Sequence, residues 1–164
     1  MIQQRTQRTQ RTRQRTILYA EDDDDAVTIL RAACKNSRLT HPIHVVTDGA
    51  KAIEYLGGEG RYADRDRFPL PSLLLLDLKM PRKNGFDVLS WIRSGTGINR
   101  LPVIFFSTSA DPSDINRAYD LGANSYAVKP SGIEGLVDLL NYLEGWWMGV
   151  NEVPGLEAAG CGYD

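Results

Sequence analysis

The 164-residue chain is 42% hydrophobic and 24% charged, enough apolar content for one compact core, and its formal net charge of −2 conceals an uneven distribution. Arg5, Arg8, Arg11, Arg13 and Arg15 stand in the first fifteen residues without one acid, so removing that +5 from the formal −2 leaves −7 on the remainder, a balance that argues against nucleic acid as a ligand of the folded part. Two cysteines make no disulfide framework, and no run resembles a signal peptide or approaches the roughly 18 apolar residues of a membrane span, so a cytoplasmic protein with no membrane attachment is expected.

Residues 1–15 repeat Gln-Arg-Thr and carry almost nothing to bury, which predicts a disordered basic tail. From Thr16 onward short apolar runs alternate with helical patterns. Strands are expected at 16–20, 43–47, 72–77, 103–106 and 125–128, and helices at 24–37, 49–56, 85–93, 112–121 and 131–147, several opened by an Asp or Ser cap or by an early proline. The runs 73–76 and 103–106 are continuously apolar, as in central parallel strands covered on both faces. Five βα repeats of this kind predict an α/β fold, a doubly wound five-stranded parallel sheet, with ligands at the carboxyl ends of the strands. Residues 57–71 exceed a minimal connection and read as a surface loop. The chain is expected to divide into the tail 1–15, a domain over 16–148 and a Gly- and acid-rich C-terminal tail, 149–164, that frays.

The topology gathers charge at one rim. Glu21, Asp22, Asp23, Asp24 and Asp25 follow the first strand and Asp77 ends the third, so carboxylates distant in sequence converge. Asp24 and Asp25 serve the following helix dipole, but packed acids raise one another's pKa unless a cation sits among them, and a hard cation such as Mg²⁺ suits oxygen ligands. Ser107 after the fourth strand and Lys129 after the fifth add a hydroxyl and an ammonium. Such a site can hold Mg²⁺ and a doubly charged phosphoryl group.

The segments YAEDD, LLLLDLKMPRKNG, PVIFFSTS and SYAVKP, in this order and spacing, resemble the receiver domains of two-component response regulators, a CheY-like, flavodoxin-like (βα)5 family. The likeness covers about residues 16–147 and rests on Glu21–Asp22, Asp77, Pro81 with Gly85, Ser107 and Lys129–Pro130. The long loop before the third strand and the ending YLEGWWMGVNEVPG look like single-domain receivers, some of which serve phytochrome-type histidine kinases.

The resemblance implies a phosphoacceptor signalling protein that catalyses only its own phosphorylation and dephosphorylation, with no attached output domain. Asp77 takes the phosphoryl group from a kinase phosphohistidine or a phosphotransfer protein. Mg²⁺ is held by Asp22, Asp77 and the main-chain carbonyl of Lys79, with Glu21 acting through water. Lys129 pairs with a phosphoryl oxygen, Ser107 moves to bond another, and Tyr126 is the switch aromatic. The family's Lys-Pro bond, here Lys129–Pro130, is typically cis. Lys79 stands where a haloacid dehalogenase would need its second aspartate, and acids replace the Gly-rich loop of a nucleotide-binding domain. A partner or a second copy is expected to dock on the face of the fourth helix, fifth strand and fifth helix. Ile133, Leu136, Val137, Leu140 and Leu143 can form the buried stripe of that last helix, leaving Trp146 or Trp147 partly exposed.

Overall fold

The computed structural model describes residues 15–156. The arginine-rich residues 1–14 and the segment 157–164 lie outside the described residues. Five strands, β1 (Ile17–Ala20), β2 (Ile43–Val46), β3 (Leu73–Leu76), β4 (Val103–Ser107) and β5 (Ser125–Val128), form one parallel sheet in the order β2-β1-β3-β4-β5. Helices α1 (Asp24–Asn36), α2 (Gly49–Gly57), α3 (Gly85–Arg93), α4 (Pro112–Asp120) and α5 (Ile133–Tyr142) connect and flank the strands. The doubly wound (βα)5 expectation is met, with most boundaries within two residues.

Local chemistry sets the helix starts. Asp23, Asp48 and Asp111 cap α1, α2 and α4 through their carboxylates, and Asn84 opens α3 with a reciprocal capping box to Asp87. Pro112 stands in the first turn of α4, where its missing N–H has no helical partner to lose.

Side chains alternate across the sheet and so divide the core in two. Leu18, Leu74, Leu76, Val103 and Phe105 pack with α2, α3 and Ala118 of α4 on one face, while Ile17, Tyr19, Leu73, Leu75, Ile104 and Phe106 pack with α1 and α5 on the other. The central strands β1, β3 and β4 are buried throughout, which explains their unbroken apolar runs.

Four expectations are corrected. Ser107 is the last residue of β4 rather than a residue beyond it, because the ladder to β5 continues to the Ser107–Val128 pair. The last helix continues beyond Tyr142 as a wider π-helical segment, Leu143–Val150, which buries Leu143 and Met148. Ile133 is 44% exposed and stands outside the stripe, since the helix begins there and only Leu136, Leu140 and Leu143 of the five are buried against α1 and the sheet. The described residues at the borders of the expected tails are held to the domain: Arg15 donates to the carbonyls of Met148 and Asn151, and Leu156 packs on the core of the α2–α3 face.

Residues 57–71 are a loop, as expected, but a packed one. It contains a 3₁₀ turn, Gly60–Tyr62, that buries the Tyr62 ring 5.0 Å from Tyr55 and 5.1 Å from Phe68. Arg65 donates to the carbonyls of Tyr55, Leu56 and Phe68, which supply the acceptors that a folded loop needs.

Candidate functional site

Ladder hydrogen bonds carry the backbone past the strand ends. Glu21 N–H donates to Val46 O and Asp77 N–H to Ala20 O, both at 3.0 Å, so the two acids leave β1 and β3 side by side. Lys129 N–H donates to Ser107 O at 2.7 Å, which holds the other edge of the rim. Alternation then decides the faces: Glu21 keeps the parity of Ile17 and Tyr19, and Lys129 that of Ala127, so both side chains stand over the α1–α5 side.

Carboxylate oxygens of Glu21, Asp22 and Asp77 lie within 4.8 Å of one another. Glu21 and Asp77 are buried, at 1% and 7% exposure, and Asp22 is exposed. Lys129 Nζ is hydrogen-bonded to Glu21 Oε2 and lies 3.5 Å from Asp77 Oδ1, with the Phe106 ring 5.7 Å away. One ammonium thus pairs with two of the three carboxylates. Burial pushes the Asp77 carboxyl up to about 6 and the negative Glu21 adds to the rise, while Lys129 and the Leu78 N–H offset part of it.

Glu21 has further partners that charge patterning alone did not reveal. Its Oε2 also accepts from the Tyr19 hydroxyl at 2.9 Å, and its Oε1 accepts from Asp23 N–H at 3.1 Å. Tyr19 is 1% exposed. The signal that could have found it is the period of two along β1, which sets Tyr19 on the same face as Glu21.

Ser107 is buried at the end of β4, and its Oγ accepts from Ser109 N–H at 3.2 Å. Tyr126 is half-buried, stacks on Phe105 at 5.9 Å, and donates from its hydroxyl to Ser109 O at 2.9 Å. Ser109 therefore joins the two residues assigned to the switch, and its own Oγ donates to Asp114 in α4 at 2.6 Å. Sequence reasoning missed Ser109. Its spacing from Asp114 was the available clue, a side-chain bond across a helix start.

The loop after β3 is held by close backbone approach. A Cβ at Gly85 would lie 2.5 Å from the Asp77 carbonyl oxygen and 2.7 Å from the Phe105 ring, so only glycine fits behind the acceptor candidate. A Cβ at Gly49 would collide with the Lys83 carbonyl, and Asp48 beside it lies 3.5 Å from Arg82 Nη1. Lys79 sits exposed on this loop, two residues past Asp77, and lines an open groove of about 450 Å³ with Met80, Asn84, Phe86, Asp114 and Arg117. The expectation of a cis Lys129–Pro130 bond is corrected: no peptide among the described residues is cis. Trans X–Pro is favoured by about 0.5–1 kcal/mol, and the trans backbone already delivers the ammonium to Glu21 and Asp77.

The donor set fits a divalent cation. Three carboxylates with a single ammonium leave uncompensated negative charge, and all the side-chain ligands are oxygens, the preference of a hard ion.

Comparison with known proteins agrees with this geometry. A family profile described as response regulator receiver domain matches residues 17–141. The chain is 35% identical to the response regulator RPA3017 in red light signalling of R. palustris, with a TM-score of 0.81 over 86% of this chain and 99% of that one. It is 34% identical to the phosphorylated cyanobacterial phytochrome response regulator RcpA, with a TM-score of 0.77 over the same shares. Response regulator Rcp1 of Synechocystis is 29% identical over 140 residues, covering 85% of this chain and 93% of that one, and a solved structure of Rcp1 is a Mn²⁺-bound form.

Proposed function

The chain belongs to the family of response regulator receiver domains, a premise from which we propose that Asp77 is its phosphoacceptor and that Mg²⁺ is the cation of its site. Phosphorylation-based signalling is the function of the family, and no helix among the described residues is long and apolar enough to cross a membrane. The observation that carries the assignment of Asp77 is its place within 3.5 Å of Lys129 Nζ and among the carboxylates of Glu21 and Asp22.

In this reading an Asp77 carboxylate oxygen attacks the phosphorus of a kinase phosphohistidine. The N–P bond breaks, the imidazole leaves with the bonding pair, and the new O–P bond makes an acyl phosphate. Asp22, Asp77 and the Lys79 carbonyl would hold Mg²⁺ directly, and Glu21, whose oxygens already accept from Tyr19, Lys129 and Asp23, would act through water. Bound there, the cation supplies neutralisation of phosphoryl charge. Lys129 turns from Glu21 to a phosphoryl oxygen, and the Ser107 hydroxyl turns from Ser109 to another. Loss of the Ser107–Ser109 bond frees the β4–α4 turn and with it Tyr126. The protein so catalyses its own phosphorylation and dephosphorylation and no other turnover.

By the likeness to RcpA and RPA3017, the phosphoryl donor is proposed to be a phytochrome-type histidine kinase. The receiver is proposed to span residues 16–148, with Arg15 and residues 149–156 docked against it. Output passes through the α4–β5–α5 face, where Tyr119, Val128, Ile133, Tyr142 and Trp146 are exposed to a partner or a second copy.

Intact-mass measurement after incubation with acetyl phosphate and Mg²⁺ tests the acceptor. A single phosphoryl group is expected on the wild type and none on Asp77→Asn. Undiminished phosphorylation of that variant overturns the assignment.

A further inference from the structure

The Tyr19 hydroxyl is the one donor to Glu21 Oε2 that the phosphorylation chemistry does not call away. In the present state that oxygen accepts from both Tyr19 and Lys129, and Glu21 is 1% exposed. When the ammonium swings to a phosphoryl oxygen, Glu21 Oε2 loses its charged partner inside the protein. A buried carboxylate oxygen left without a donor is costly, more so than a neutral acceptor.

We propose that Tyr19 is a positioning residue for phosphoryl capture: its hydroxyl stays on Glu21 Oε2 and so allows Lys129 to leave. The inference rests on the reading of Asp77 and Lys129 given above. Geometry supports a fixed hydroxyl. The Tyr19 ring is locked at 1% exposure in the cluster with Val27, Leu30 and Leu136, and lies 6.0 Å from Phe106. Its oxygen therefore cannot follow Lys129. Without the hydroxyl, Glu21 would keep the lysine, and the phosphoryl-bound state would weaken while the free state, which retains the Lys129–Glu21 pair, would change little.

Beryllofluoride, a phosphoryl mimic, tests this at saturating Mg²⁺ by titration calorimetry together with the ¹⁹F spectrum of the bound ion. Tyr19→Phe, which keeps the ring and its packing, is expected to bind roughly fivefold more weakly than the wild type. Its thermal midpoint without ligand should stay near that of the wild type, and its bound ¹⁹F signal should shift. In a Glu21→Gln background the same Tyr19→Phe change is expected to have a smaller effect than in the wild-type background, because a neutral side chain no longer holds the lysine by charge and depends less on the hydroxyl. Ile17→Val trims the same buried cluster without touching a hydroxyl, and should bind as the wild type does. Equal affinity of Tyr19→Phe and wild type overturns the inference, as does an equal loss in both backgrounds or a comparable loss in Ile17→Val. A wild type that does not bind beryllofluoride at all overturns the reading of Asp77 itself.

Discussion

Two regions of this molecule take charged groups out of water and treat them in opposite ways. In the loop between α2 and β3, the half-buried Arg65 guanidinium meets three backbone carbonyls, those of Tyr55, Leu56 and Phe68. Every donor direction it uses there ends on an acceptor, and the loop is fixed. At the rim above β1, β3 and β5, Glu21 and Asp77 share one ammonium beside Asp22, and burial together with the negative Glu21 raises the Asp77 carboxyl. The first arrangement is complete within the chain. The second is completed only by something from outside, a cation and a phosphoryl group.

The largest effect follows from removing the cation of the rim. Lys129→Ala leaves two buried carboxylates with hydroxyl and amide donors alone, and is expected to lower phosphorylation by acetyl phosphate by about a hundredfold, the loss typical of one charge-stabilising donor. Rates by intact mass check it. A rate within threefold of wild type would mean that the rim does not depend on its single ammonium.

The loop answers in a different quantity. Tyr62→Ala removes a 5% exposed ring that touches both Tyr55 and Phe68, and is expected to destabilise the fold by about 3 kcal/mol while leaving the extent of phosphorylation unchanged. Chemical denaturation and the mass assay measure the two. A large loss of phosphorylation at saturating Mg²⁺ in a still-folded variant would erase the distinction between the regions.

How far each region could be read from sequence follows the same division. The rim was legible because its parts are polar residues at strand ends, where an apolar core has no use for them: Glu21, Asp22, Asp77 and Lys129 stand beyond the strands as the βα pattern put them, and Ser107 closes β4 rather than following it. Tyr19 and Ser109 were not, since a tyrosine in a buried strand and a serine before a helix read first as core and cap. The loop's packing was hidden for a related reason. Its aromatics, Tyr62 and Phe68, follow no helical or strand period, and only the fold brings Tyr55 between them. The π-helical turn at Leu143–Val150 also escaped, because its apolar residues satisfy a helical period well enough for 143–147 to look like five more residues of α5.

The pH dependence of the rim has a definite sign. The Asp77 carboxyl titrates near 6 in the folded protein and near 3.8 without the fold, so the folded state holds its proton longer. Stability from this group is fully present below the lower value, falls as pH rises toward 6, and is lost above it, a change on the order of 3 kcal/mol. Metal-free thermal unfolding from pH 4 to 7.5 should therefore show a decline that Asp77→Asn lacks. Mg²⁺ should oppose the decline, because the ionised carboxylate is the form that binds it. A metal-free wild type and Asp77→Asn with the same pH profile would remove Asp77 as the source of the imbalance.

The smallest expected effect lies away from both regions, on the surface proposed as the docking face. Trp146 is 57% exposed and Tyr142 is 74% exposed, whereas Trp147 packs with Met148 on the α1–α5 side of the core. Adjacent positions on a helical turn point in different directions, in this wider turn as in an α-helix, so burying one indole displays the other. Trp146→Ala should consequently leave stability within about 0.5 kcal/mol of wild type, the range of surface substitutions, while Trp147→Ala should destabilise the fold. If Trp146 belongs to the docking face, sedimentation velocity of wild type with beryllofluoride should show association that Trp146→Ala reduces. The free wild type should associate less if the proposed change at the rim is relayed along the hydrogen bonds that join Ser107, Ser109 and Tyr126. A wild type that is monomeric with and without the mimic at high concentration removes the second copy as occupant and leaves the face to a different partner. Equal association of wild type and Trp146→Ala in both states would instead remove the indole from the interface, and the remaining exposed side chains, Tyr119, Val128 and Ile133 nearer β5, would become the ones to substitute next.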